Sequence, residues 1–434
     1  MRMNKDLMRV KNALRAAAPV VTALAVAGCG SAPAPAPPVP SATPVIARGL
    51  AIREPVADPR PYGAADTAFG LDVLGAWCQA DPRANLLLSP SSLASGLGLA
   101  YLGARGGTAA AMAAVLHLPA GGSTALEAGL QARSAALRGL DGPGVTVSAS
   151  DQLWADPTLT TLPSYLNAIA TSYDAGVAQA PLLSNPDRAI REIDQAIAAA
   201  TRGQIPQLLA PGSLDEIGWV LTDALYLHAS WATPFPADQT EPGPFTTAAG
   251  QQVSAQFMNG GPYNTVTAGG WTAVRLPYRG GKLAMIALLP PAGATACAMP
   301  ATAAIGRVTA ALAAGSPGVL ARSIALPRVN LGVDVSMRNL LTELGMGVAF
   351  TSSADFTGLS PQACCIGLVQ QADTLHVGEQ GTTASAATAV GIVGSAAIVG
   401  PPPVTFDRPY LMLVTDSATG EPLFAARVAD PTAP

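Results

Sequence analysis

Residues 379–403 constrain this chain more than any other stretch, because they form a long segment with little charge and little bulk. From Gly381 to Phe406 there is no charged residue, and the side chains are mostly Ala, Gly, Ser, Thr and Val. Read with period 2, one face carries Thr382, Ala384, Ala386, Thr388, Val390 and Ile392, and the other Thr383, Ser385, Ala387, Ala389 and Val393. Both faces can be covered, as in the interior strand of a sheet. A transmembrane helix fits poorly, since Gly, Ser and Thr dilute the apolar run and Pro401, Pro402 and Pro403 close it. An ordinary strand is far shorter, and an exposed uncharged loop is an aggregation hazard. Two readings remain: a loop able to become a strand, and a flexible linker.

Composition narrows the partners. The chain has 434 residues, 49% hydrophobic and 12% charged, with a net charge of −4. That is enough apolar material for a large core, and the charge gives no reason to expect nucleic acid. The three lysines, Lys5, Lys11 and Lys282, form no patch for heparin-like polyanions. His117, His228 and His376 are far apart in sequence and no CxxC spacing occurs, so neither a metal site nor a cofactor is expected. The pattern HExxH, the pattern GxSxG and the phosphate-binding loop are all missing.

The N-terminus reads as a targeting segment: Arg2, Lys5, Arg9, Lys11 and Arg15 precede the apolar run 16–27. Val26-Ala27-Gly28-Cys29 resembles the bacterial lipobox, which implies removal of residues 1–28 and lipid attachment at Cys29; a plain secretory signal is the alternative. Residues 29–63 then form an Ala/Pro-rich tether, and 64–434 the folded domain. The expected location is the cell envelope or cell surface, held to a membrane by the lipid. Cys78, Cys297, Cys364 and Cys365 can pair in an oxidising compartment, with connectivity left open.

Along the domain, 64–80 has helical spacing with Phe69, Val73, Leu74 and Trp77 on one side. Residues 85–92 read as a short buried strand turning into a helix, 93–103, through a Ser/Pro cap. Helices at 109–116 and 162–172 and strands at 145–154 and 221–231 follow.

Ordered motifs then carry a resemblance. Leu88-Ser89-Pro90-Ser91-Ser92-Leu93 and Gly103-Ala104-Arg105-Gly106-Gly107-Thr108 are followed by Leu221-Thr222-Asp223-Ala224-Leu225-Tyr226 and by Val274-Arg275-Leu276-Pro277-Tyr278. Further on come Ala354-Asp355-Phe356-Thr357-Gly358 and Phe406-Asp407-Arg408-Pro409-Tyr410. Over 67–432 the chain resembles the serpins. The resemblance implies an α+β fold with three β-sheets, a helical half and an exposed reactive-centre loop. It implies a monomeric, non-enzymatic, suicide-substrate inhibitor that forms a covalent complex with a target serine protease. A non-inhibitory serpin acting as a surface-binding lipoprotein is the alternative.

It further implies that Glu379, Gly381, Thr382, Ala384, Ala386 and Thr388 form the loop's hinge, and that the cut falls within Ser395, Ala396, Ala397, Ile398 and Val399. With no Arg or Lys in that window, an elastase-like or subtilisin-like protease fits better than a trypsin-like one. Ser89, Ser92, Asp223, Gln371 and Trp231 take the positions of the family's sheet-opening cluster. Asp223 stands where asparagine is usual and Gln371 where histidine is usual, so a Gln371 amide donating to Asp223 is expected to replace the usual pair. Inserting about ten residues would add ladder hydrogen bonds at ~1 kcal/mol each, on the order of ten kcal/mol. That is comparable with the ~5–15 kcal/mol of a whole domain.

Overall fold

Ser89 and Pro90 start the helix that underlies the whole molecule. The Ser89 hydroxyl accepts a hydrogen bond from the Ser92 amide at 3.3 Å, and proline occupies the first turn of helix Pro90–Gly103, where its missing N–H costs nothing. That helix is buried on nearly every side, and helices Arg60–Ala80, Gly106–Val115, Ser123–Arg138 and Pro163–Tyr173 surround it. The computed structural model describes residues 44–149, 151–215, 217–316, 318–382 and 402–433. Cys29, the targeting segment, Ala384, Ala386, Thr388 and the window Ser395–Val399 lie outside the described residues.

The expected helices and strands are present with shifted ends. The first helix begins at Arg60, the strand expected over 145–154 is two, Val145–Ala149 and Gln152–Ala155, and that expected over 221–231 is also two, Trp219–Asp223 and Leu225–Ser230. Helix Ser123–Arg138 was not anticipated.

Hydrogen bonding joins the described strands into two nine-stranded sheets. The second unites what the resemblance implied as two, because the strand Gln252–Ala268 is 17 residues long and serves both. Its first part pairs with Thr240–Thr246, its last part with Trp271–Pro277, and its middle with Leu320–Pro327. In the main sheet, Val177–Gln179, Gln152–Ala155, Trp219–Asp223 and Val369–Gly378 lie side by side. Val329–Ser336 pairs along the far edge of Val369–Gly378, and Val145–Ala149 along Leu225–Ser230. Disulfide Cys78–Cys297 ties the first helix to a segment 219 residues away, and Cys364 and Cys365 are free thiols.

The segment assigned to the tether is in part docked. Ile46–Ala47 adds an edge strand to Val177–Gln179. The Leu50 amide donates to Asn167 at 2.7 Å, the Ile52 amide to Thr171 at 2.9 Å, and the Gln131 amide to the Ile52 carbonyl at 3.0 Å. These partners sit on two helices far away in sequence, so composition gave no sign of the contact. No helix among the described residues is long and apolar enough to cross a membrane.

Candidate functional site

The main sheet has a forked seam. At its closed end Val369, Gln370 and Gln371 pair in parallel with Leu221, Thr222 and Asp223. Higher up, at the same residue offset, Val377 and Ala229 are held apart by Thr382, which pairs with both, and Gly378 and Ser230 by Gly381. Between these levels no ladder among the described residues joins 225–228 to 372–376. Among the described residues each of those stretches is paired on its outer edge alone.

The top of the fork is fastened by side chains that leave little freedom. Thr382 is 1% exposed, and its hydroxyl meets the Tyr278 hydroxyl at 2.5 Å. Trp231 stacks on Tyr278 with ring centroids 4.4 Å apart, and its indole N–H donates to the Gly378 carbonyl at 2.8 Å. Gly381 has a φ of +149°, and a Cβ there would lie 2.1 Å from the Ala229 carbonyl oxygen, so only glycine fits. Thr240 and Arg328 donate to Glu379 at 2.6 and 2.7 Å. Burial pushes the Glu379 carboxyl up, but these donors outweigh it and hold the group below its ordinary value.

Below the fork lies an acidic cluster. Ser92 Oγ lies 2.6 Å from Asp151 and is also hydrogen-bonded to Asp223. The hydroxyl has one proton, so a bond to both carboxyls requires a proton on one of them. Asp223 Oδ2, Gln371 Oε1 and both Asp373 oxygens are buried without a hydrogen bond. Burial raises all three carboxyls: Asp151 to about 6, Asp373 to about 7, and Asp223 well above its ordinary value, the last aided by the charges of Asp151 and Asp373.

Two expectations are corrected here. Gln371 does not donate to Asp223; its amide reaches the Ser89 carbonyl at 3.4 Å, while Ser92 bonds Asp223. Trp231, expected with this cluster, lies instead at the top of the fork against Tyr278 and Gly378, whereas Ser89 stays in the cluster through its carbonyl. Asp151 and Asp373 were missed. So was Arg133, buried beside the cluster, which contacts Asp66 at 2.6 Å, Glu421 at 2.9 Å and Ser95 at 2.8 Å.

The family profile described as "Serpin (serine protease inhibitor)" matches residues 64–431. The chain belongs to the serpin family. This serpin is 27% identical over 379 residues to the leukocyte elastase inhibitor of Bos taurus, a match covering 85% of this chain and 99% of that one. A serpin-like protein of Thermococcus kodakarensis is 29% identical over 357 residues, covering 80% and 81%. Among solved structures, the thermophilic serpin tengpin in its native state superposes with TM-score 0.72 at 22% identity, covering 89% of this chain and 97% of its own. Uncleaved ovalbumin does so with TM-score 0.71 at 21% identity, covering 85% and 100%. These two similarities establish the serpin fold.

Proposed function

We propose that this serpin is a single-use, covalent inhibitor of serine proteases with small or aliphatic specificity. The protease cuts the loop within Ser395–Val399, and its acyl-enzyme is trapped as the freed loop enters the main sheet as a new strand. The observation that carries this reading is the fork, with Thr382 already between Val377 and Ala229. Extending that register sets Ala384 across from Leu227 and Leu375, and Ala386 across from Leu225 and Asp373. Thr388 then falls across from Asp223 and Gln371, bringing one hydroxyl proton to a rung where two buried oxygens lack a donor. Small side chains at these positions pass between the strands without a steric penalty, and no proline interrupts 379–399. The elastase inhibitors among the relatives support an elastase-like target.

The chain is anchored by a lipid on Cys29, a reading supported by the basic and apolar leader; Cys29→Ser should release it from membranes.

The deciding experiment mixes the protein with pancreatic elastase and, separately, with subtilisin. An SDS-stable adduct is expected, together with a higher melting temperature after loop cleavage. Thr382→Arg, which asks the seam to bury a cation, should be cut without forming an adduct. Cleavage of the native chain with neither adduct nor gain in melting temperature would overturn the inhibitor reading and leave the non-inhibitory one.

A further inference from the structure

Cys364 and Cys365 are adjacent in sequence and form a pair of thiols that the inhibitory reading does not use. Their sulfurs lie 2.9 Å apart. Cys364 is exposed and Cys365 partly buried, the latter lining an apolar cavity with Trp219, Leu221, Phe356 and Ile366. The turn that carries them is held from both sides. The Ala363 amide donates to the Ser360 carbonyl at 3.2 Å, and the Ile366 amide to the Ala349 carbonyl at 2.9 Å. These bonds fix the backbone on either side of the pair, which keeps the two cysteines on one short turn. The other described cysteines are joined as a disulfide, a bond that persists where thiols are oxidised.

We propose that Cys364–Cys365 is a dithiol modification site that closes to a vicinal disulfide by exchange with a small-molecule or protein disulfide. The exposed Cys364, as thiolate, attacks one sulfur of the incoming disulfide and expels the first thiolate, which takes up a proton. Cys365 then loses its proton, attacks the Cys364 sulfur and expels the second. Two protein thiols are oxidised to one disulfide, and the incoming disulfide is reduced to two thiols. The order follows from access, and also from the Cys365 thiol being pushed up to about 11, by burial first and then by its neighbour. The ring forms just ahead of Val369, the first residue of the closed end of the seam.

The test uses the full chain incubated with oxidised glutathione, then alkylated without reduction, denatured and cut with a glutamate-specific protease to free residues 344–379. That peptide is expected unalkylated and lighter by two hydrogen atoms than its dithiol form. Double alkylation while Cys78 and Cys297 stay protected would overturn the proposal, as would a stable glutathione adduct beside a free thiol. In Cys365→Ser, which lacks the resolving thiol, glutathione should remain on Cys364. Equal or faster capture by Cys365 in Cys364→Ser would overturn the order of attack.

Discussion

Asp223 and Gln371 face each other across the last closed rung of the seam, yet no hydrogen bond joins their side chains. The amide spends one N–H on a long contact to the Ser89 carbonyl and leaves its oxygen unpaired in a fully buried position. An orphaned buried acceptor forfeits about what one modest hydrogen bond returns. Gln371→Leu should therefore shift stability by no more than about 1 kcal/mol, in either direction. A chemical denaturation series that shows a loss several times larger would mean that the amide has a partner at this rung that the geometry does not show.

Gly381 is the narrowest point of the fork. An alanine there would drive its Cβ into the Ala229 carbonyl and would also hold an unfavourable φ. Gly381→Ala should push Thr382 out of the seam and break its contact with Tyr278. The amide of Thr382 should then lose protection in hydrogen exchange, while amides of helix Pro90–Gly103 keep theirs. Unchanged protection at Thr382 would show that the fork tolerates a side chain.

Arg133 holds two buried carboxylates, Asp66 and Glu421, within a few ångström of one guanidinium. Burial alone would push that guanidinium down, and the two carboxylates outweigh it and push it up. Removing the cation leaves both acids in the core without a counter-charge, which costs about 3–5 kcal/mol. Arg133→Met should thus unfold far below the parent in a thermal melt at pH 8, and recover part of the loss at pH 5, because burial raises the Glu421 carboxyl well above its ordinary value and lets it take up a proton. Replacing Asp66 and Glu421 by Leu and Met in the same chain should restore much of the stability.

The strands and helices that frame the seam were legible because periodicity and capping are local: Ser89 and Pro90 stand just ahead of an apolar run, which marks a helix start. Thr382 and Gly381 were legible through the serpin resemblance, which sets the hinge there, and the small, uncharged run agrees with it. The acidic cluster was not. Only Asp223 was singled out, through the resemblance. Asp151 and Asp373 come from two other distant segments and each alone reads as an ordinary strand or loop residue, until the fold sets Asp151 beside Asp223 on the Ser92 hydroxyl and brings the charge of Asp373 close to both. Residues 45–54 were misread for a related reason, since an Ala/Pro-rich stretch docks or stays free according to what Asn167, Thr171 and Gln131 present to it.

The same cluster sets a pH dependence whose sign can be worked out. An unfolded aspartate titrates near 3.9, whereas burial lifts Asp151 to about 6 and Asp373 to about 7, and lifts Asp223 well above its ordinary value. A raised carboxyl means that the folded chain binds the proton more tightly. The associated stability is complete below the unfolded value and is lost as pH climbs through 6 and 7. Two groups act in the opposite sense. Glu379 is held low, so its contribution disappears only on acidification below the ordinary carboxylate range. His376 is pulled down by burial and penalises the folded chain only below about pH 6.5. Between pH 6.5 and 8.5 the three carboxyls act in one direction, and Glu421, which burial also raises well above its ordinary value, acts with them. Arg133 is their neighbouring cation, lowering Asp151 but not enough to cancel its burial. The melting temperature should fall over the first part of that interval, as Asp373 gives up its proton, and change less above it. Asp223→Asn keeps the shape of the side chain and removes its titration, so it should raise stability at pH 8.5 and change it little only below about pH 4, where the aspartate is neutral in both states. Paired with Asp373→Asn it should flatten the profile, and a parent melting temperature that is level from pH 6.5 to 8.5 would mean that these carboxyls ionise without strain.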